Sequence, residues 1–166
     1  MNKTLILGLG NPILTDDGIG IHVVRALAAG NLPPGVTCAE ASVGGLRLLS
    51  VITGYEGVIL VDFIQNAQGR PGDIYRLHPH DLKASRHMGS SHDLSLPGAL
   101  SLGRKLGMPL PEDSAITIIA VQAEDVLTLG EECTPAVAAA IPRAVEAVLA
   151  ELAKDKQLTT EDLEKK

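Results

Sequence analysis

The chain has no tryptophan, one phenylalanine and two tyrosines, so its interior must be built from Val, Ile, Leu and Ala, a composition that favours parallel sheet covered by helices. Basic residues are also few: 14 Lys and Arg stand against 20 Asp and Glu, leaving a net charge of -6. Nucleic-acid binding draws on clustered cations that displace counterions from phosphate. The fourteen here are scattered, which argues against a nucleic-acid partner. There are two cysteines, Cys38 and Cys133, far apart and without C-x-x-C spacing. They signal neither a zinc knuckle nor a disulfide framework and suit a reducing cytoplasm. No apolar run is long enough to cross a bilayer. The opening run ends at Gly8, ahead of Asn11 and two aspartates, and is too short for a secretory core. A cytoplasmic protein with no membrane partner is expected.

A length of 166 residues suits one hydrophobic core. Thr4 to Leu9 reads as a buried strand closed by Gly10-Asn11-Pro12. From Asp17 the period changes. Gly20, Ile21, Val24, Leu27 and Ala28 recur at helical spacing until Gly30 and Pro33-Pro34. Val36 to Ala41 predicts a second strand, Leu46 to Ile52 a short helix after Gly44-Gly45, Val58 to Phe63 a buried strand and Ile74 to Leu77 a shorter one. The polar stretch from His78 to Ser91 reads as a long loop. Leu96, Ala99, Leu100, Gly103 and Leu106 mark a helix, and Ala115 to Val121 the next strand. Thr134 as N-cap and Pro135 in the first turn open a last helix whose apolar stripe runs from Val137 to Leu152, with Pro142 expected to bend it. The expected architecture is a three-layer α/β domain over residues 1–153, a mostly parallel twisted sheet of about five strands with helices on both faces. The charged residues 154–166 are expected to form a frayed or disordered tail.

In such sheets ligands bind beyond the carboxyl ends of the strands. Asp17 follows the first strand and its glycine loop, and Asp62 closes the aliphatic run Val58-Ile59-Leu60-Val61. Their carboxylates converge if those strands are neighbours. His92, in Gly89-Ser90-Ser91-His92-Asp93, supplies an imidazole that can reach the same edge. Two carboxylates and an imidazole suit nickel, zinc or iron and leave positions open for a substrate group or water. Each residue also has a plainer explanation. Asp16 and Asp17 can complement the positive end of the following helix, worth roughly 0.3–1 kcal/mol each, and this is the expected role of Asp16. Asp62 can cap a turn, and His92 taken alone can be an ordinary loop residue. Among the other histidines, His78 and His80 flank Pro79 and share a face of an extended segment, though a solvated loop accounts for them as well. His22 falls outside the apolar stripe of the first helix and is expected to be exposed, and His87 lies in the polar loop.

Gly8-Leu9-Gly10 has the first part of a dinucleotide loop, but Ile13 stands where the third glycine belongs. The acidic pair at 16 and 17 also occupies the place of a pyrophosphate. No G-x-S-x-G elbow presents Ser90 or Ser91 as a hydrolase nucleophile.

The stretch Gly8-Leu9-Gly10-Asn11-Pro12-Ile13-Leu14-Thr15-Asp16-Asp17-Gly18-Ile19-Gly20 resembles the N-terminal signature of nickel-iron hydrogenase maturation endopeptidases. The likeness continues through Gly44-Gly45, Val61-Asp62, Ser91-His92 and Thr134-Pro135, and so covers residues 1–153. The resemblance implies cleavage of a C-terminal extension from a hydrogenase large-subunit precursor after its nickel-iron site is loaded. The nickel is then carried by the substrate, and no tightly bound cofactor is expected. Asp17 matches the first acidic metal contact, Asp62 the second carboxylate and His92 the histidine. The Gly-Gly-Thr-like turn of many relatives appears as Ser42-Val43-Gly44-Gly45, without the threonine. Gly8 to Pro12 is also similar to the start of bacterial peptidyl-tRNA hydrolases, but the likeness stops at Pro12. A non-catalytic nickel-binding maturation chaperone would carry the same metal-binding residues.

Overall fold

The computed structural model describes residues 3–66, 68–82 and 95–164, with side chains described as far as residue 155. Strand and helix alternate as β1 (Thr4–Leu9), α1 (Ile19–Ala28), β2 (Val36–Ala41), α2 (Gly45–Ile52), β3 (Gly57–Ile64), β4 (Ile74–Leu77), α3 (Leu96–Lys105), β5 (Ile116–Gln122) and α4 (Pro135–Glu164). The sheet has the order β2-β1-β3-β5-β4. The first four of these strands pair in parallel, and the short edge strand β4 runs antiparallel to β5.

Strand alternation divides the core. Ile6, Ile59, Val61, Phe63, Ile119 and Val121 point to one face, where they meet Ile19, Val23 and Leu27 of α1 and Val137, Ala140, Ala144 and Val148 of α4. Leu5, Leu7, Val58, Leu60, Ile116 and Ile118 point to the other, against Leu48, Leu49 and Ile52 of α2 and Ala99 and Leu100 of α3. Because β1, β3 and β5 are buried on both faces, they appear in sequence as unbroken aliphatic runs. This is the expected three-layer α/β domain.

Two glycines set how closely α1 lies on the sheet. A Cβ on Gly8 would strike the Gly20 carbonyl, and a Cβ on Gly20 would strike the carbonyls of Leu9 and Val61. Gly8 and Gly20 therefore serve helix-on-strand packing. The loops that leave β1, β3 and β5 consequently meet at one end of the sheet.

Two expectations are modified, the end of the last helix and the order within the polar loop. The helix α4 does not end at Ala153 but continues to Glu164. Residues 154–164 contain no glycine or proline to stop it, and a helix already nucleated extends at little further cost. Pro142 lies within α4 without ending it; its position is exposed, so water can satisfy the carbonyl that it leaves unpaired. Part of the long polar loop is ordered as a 3-10 turn over Pro79–Leu82 that buries Pro79 and Leu82.

The amino-terminal half of β5 is tied to α4 by a polar contact. Buried Glu151 accepts from Arg76 Nε at 2.5 Å, from the Arg76 terminal nitrogen at 2.6 Å and from Thr117 Oγ1 at 3.1 Å. Arg76 holds the Glu151 carboxyl below its usual range.

Candidate active site

The chain leaves β1 through Gly10, whose φ of 136° is readily open only to glycine. A Cβ there would collide with the Asp17 carbonyl, so Gly10 lets the loop fold back over its own 3-10 turn, Thr15–Gly18. Within that loop the Asn11 N–H donates to Asp17 Oδ1 at 3.0 Å, and the Asp17 N–H donates to the Leu14 carbonyl at 3.1 Å. Ser42 Oγ donates to the Gly10 carbonyl at 3.0 Å. The Ser42-Val43-Gly44-Gly45 segment is thus joined to the first loop despite lacking a threonine.

Asp62 lies inside β3, two residues before its end, rather than just beyond the strand. Alternation puts its side chain on the face of Leu60 and Ile64, and it is 5% exposed. Its register partner on β5 is the small Ala120. The Phe63 N–H donates to Asp62 Oδ1 at 2.8 Å. Among the described residues this is the one hydrogen bond that Asp62 accepts, little return for burying a carboxylate, which has acceptor capacity for several.

The electrostatics follow. Burial pushes the Asp62 carboxyl well above its usual range, opposed by the Phe63 hydrogen bond and reinforced by the charge of Asp17. Burial also raises Asp17, which is half-buried, against the lowering effect of the Asn11 N–H. The coupling is reciprocal, since the charge of either carboxylate opposes ionisation of the other and the two titrate as a pair. The charge of Asp17 is therefore felt at Asp62, and the two carboxylates compete for charge. A pair of this kind is completed by a cation or by a shared proton.

Asp16 has a different role from the one expected. It is 0% exposed and faces the loop between β5 and α4. Its Oδ2 accepts from the Glu124 and Asp125 N–H groups, each at 2.9 Å, and its Oδ1 from the Thr134 N–H at 2.8 Å. The Thr134 hydroxyl reaches both oxygens, at 3.0 and 2.8 Å. Asp16 is thus a buried clamp between the first loop and the start of α4, and not merely a charge that complements the helix following it. Neighbouring aspartates take different partners, Asp16 the loop between β5 and α4 and Asp17 the Asn11 N–H of its own loop.

His92 and His87 lie outside the described residues. Among the described residues no group of three His, Cys, Asp or Glu side chains is arranged to hold a metal ion, so Asp17 and Asp62 are the described part of the expected trio. His22 departs from expectation: it is half-buried, with Nε2 shielded from solvent and without a hydrogen-bond partner among the described residues. The helix α1 packs on α4 as well as on the sheet, so its buried arc is wider than an apolar stripe indicates. His78 and His80 stack with ring centroids 5.8 Å apart. His78 Nδ1 lies 2.9 Å from the Ile116 carbonyl, at the opposite end of β5 from the Asp62 level. Neither cysteine offers a nucleophile. Burial, with Asp16 adding to it, pushes the Cys133 thiol up to about 11, and burial raises Cys38 too, so both remain protonated near neutrality.

The family model described as hydrogenase maturation protease matches residues 21–151. The chain belongs to the hydrogenase maturation protease family. It is 32% identical over 152 residues to the hydrogenase 2 maturation protease of Escherichia coli K12, covering 90% of each chain. It is 28% identical over 159 residues to a putative hydrogenase maturation protease of Methanocaldococcus jannaschii, covering 90% of this chain and 96% of that one. The solved structure of the E. coli hydrogenase maturating endopeptidase HybD superposes with a TM-score of 0.77 at 32% identity, over 92% of this chain and 93% of that one. The [NiFe] hydrogenase maturation protease HybD of Thermococcus kodakarensis follows at 0.67 and 28%, over 91% and 99%. The chain is thus a hydrogenase maturation endopeptidase, which decides against the peptidyl-tRNA hydrolase and chaperone alternatives. No described helix of this endopeptidase is long and apolar enough to cross a membrane.

Proposed function

We propose that this endopeptidase removes the C-terminal extension of a nickel-iron hydrogenase large-subunit precursor in the cytoplasm, after nickel insertion, and that it recognises the nickel carried by that substrate through Asp17, Asp62 and His92. The observation that carries the proposal is the burial of Asp62 near the carboxyl end of the sheet, its carboxyl raised by that burial and by the charge of Asp17 on the loop that leaves the neighbouring strand β1. Such a pair is unfavourable when both members are ionised and becomes favourable beside a divalent cation. Asp62 holds its proton to a higher pH than an ordinary carboxyl does. Docking of the substrate's metal reverses that preference, so recognition is coupled to proton release.

A cation that belongs to the precursor makes the check selective. The loaded precursor is held with its scissile bond against the site, and the empty one lacks the charge that the carboxylates need. Hydrolysis adds water across the peptide bond, its oxygen going to the carbonyl carbon and a proton to the departing amine.

The test is incubation of the purified chain with nickel-loaded and nickel-free precursor, followed by intact mass. Loaded precursor should lose its tail and empty precursor should not, while Asp62→Ala abolishes cleavage in a chain that still folds. Equal cleavage of both precursors would remove metal recognition from the account.

A further inference from the structure

Leu127 is 85% exposed, Leu129 76% and Ile13 51%, so large apolar side chains stand in water where the loop that carries Asp17 meets the loop between β5 and α4. The loops are not loose. Leu14 bridges Gly130 in parallel, the Thr15 N–H donates to the Gly130 carbonyl at 3.0 Å and the Gly130 N–H donates to the Ile13 carbonyl at 2.9 Å. Thr15 Oγ1 donates to the Thr128 carbonyl at 2.5 Å, and Asp125 Oδ1 accepts from the Leu127 and Thr128 N–H groups, each at 3.0 Å. Asp16 clamps the start of the same segment. The bridge brings the backbone of Ile13 and Leu14 against that of Leu129 and Gly130, so the loop that carries Ile13 and the loop that carries Leu129 are neighbours.

A backbone pinned this firmly does not need large apolar side chains, and holding them in water forgoes roughly 1.5–3 kcal/mol of available burial for each leucine. Their surroundings are acidic. Glu124, Glu131 and Glu132 are exposed beside them, and no lysine or arginine occurs between Lys105 and Arg143. The same first loop carries Ile13 and, four residues on, Asp17, so whatever covers the patch lies next to the carboxylate pair.

We propose that Ile13, Leu127 and Leu129 form the docking surface for the hydrogenase precursor and engage on it an apolar segment flanked by basic residues. The charge of the rim selects the flanks and the leucines supply the buried anchors. The inference rests on the precursor being the substrate. The patch acts in binding, not in chemistry, so its loss appears in KM rather than kcat.

The experiment compares wild type with the Leu127→Ser/Leu129→Ser double variant on nickel-loaded precursor, measuring cleavage and, separately, binding of the precursor to immobilised enzyme. Both positions are exposed, so melting temperature should not move. The double variant should raise KM and the binding constant by about tenfold or more with kcat unchanged. Glu131→Gln/Glu132→Gln should flatten the weakening of wild-type binding by salt. Equal KM and equal binding for the leucine variant overturn the proposal. So does a change confined to self-association of the enzyme, which would make the patch a contact between copies. Precursor bound by wild type, released by the leucine variant and cut by neither keeps the docking surface while overturning the catalytic reading. A wild type that neither binds nor cuts overturns both.

Discussion

Asp16 and Thr134 are joined by three hydrogen bonds across 118 residues of chain, the backbone N–H to Oδ1 and the hydroxyl to both carboxylate oxygens. Thr134 thus spends its hydroxyl on the clamp, and its carbonyl accepts from the Ala138 N–H at 2.8 Å to begin α4. The contact fixes the turn on which Asp17 stands to the last helix, and through Glu124 and Asp125 to the end of β5.

Asp16→Asn should destabilise the protein nearly as much as Asp16→Ala, although it keeps the shape. Both Asp16 oxygens face backbone N–H donors, so whichever one becomes an amide NH2 turns a donor toward donors. Leaving such groups unpaired in the interior costs roughly 2–4 kcal/mol, a fall in Tm on the order of 10 °C for a chain of this size. Thermal melts of the three proteins decide it. An Asn variant that melts with wild type would mean that the clamp depends on shape alone.

Asp62→Asn should do the reverse and stabilise the protein at neutral pH while removing processing. Burial and the charge of Asp17 raise the folded carboxyl, so between its unfolded value and its folded one the native state binds more protons than the unfolded state. Wild-type stability is therefore greatest below the unfolded value and is lost as pH rises through the folded one. The amide carries no such penalty and keeps an acceptor for the Phe63 N–H. Melts taken from pH 4 to 8 should show the two proteins together in acid and the variant increasingly ahead as pH rises. Parallel curves would place the burden elsewhere.

Much of this was legible before any coordinates. The strand β1 lies where an aliphatic run ends in glycine, Asp17 is marked by its place after that strand and its glycine loop, and Asp62 by an acidic group directly after four aliphatics that needs a partner. Asp16 was misjudged because its partners lie 108 to 118 residues away, beyond any local pattern. The boundary after Ala153 marks a change from apolar to charged residues, which ends a buried face without ending a helix. His22 was assigned to solvent by counting one stripe on a helix that packs against two neighbours.

Gly20→Ala tests the spacing on which the site depends, and two effects oppose each other in it. Within a helix, alanine is favoured over glycine by about 1 kcal/mol, so propensity alone predicts a more stable protein. The added Cβ, however, would meet the carbonyls of Leu9 and Val61, backbone atoms that no rotamer change can move. Overpacking of that kind costs about 1–3 kcal/mol or more, and here it must be relieved by lifting α1 from β1 and β3. The net expectation is a lower Tm, and reduced processing as well, because Val61 precedes Asp62 and the lifted helix begins two residues after Asp17. Melting and precursor cleavage measured on the same preparation check both. A higher Tm with full activity would show that the helix has room to move and that the glycine is not what brings the two aspartates together.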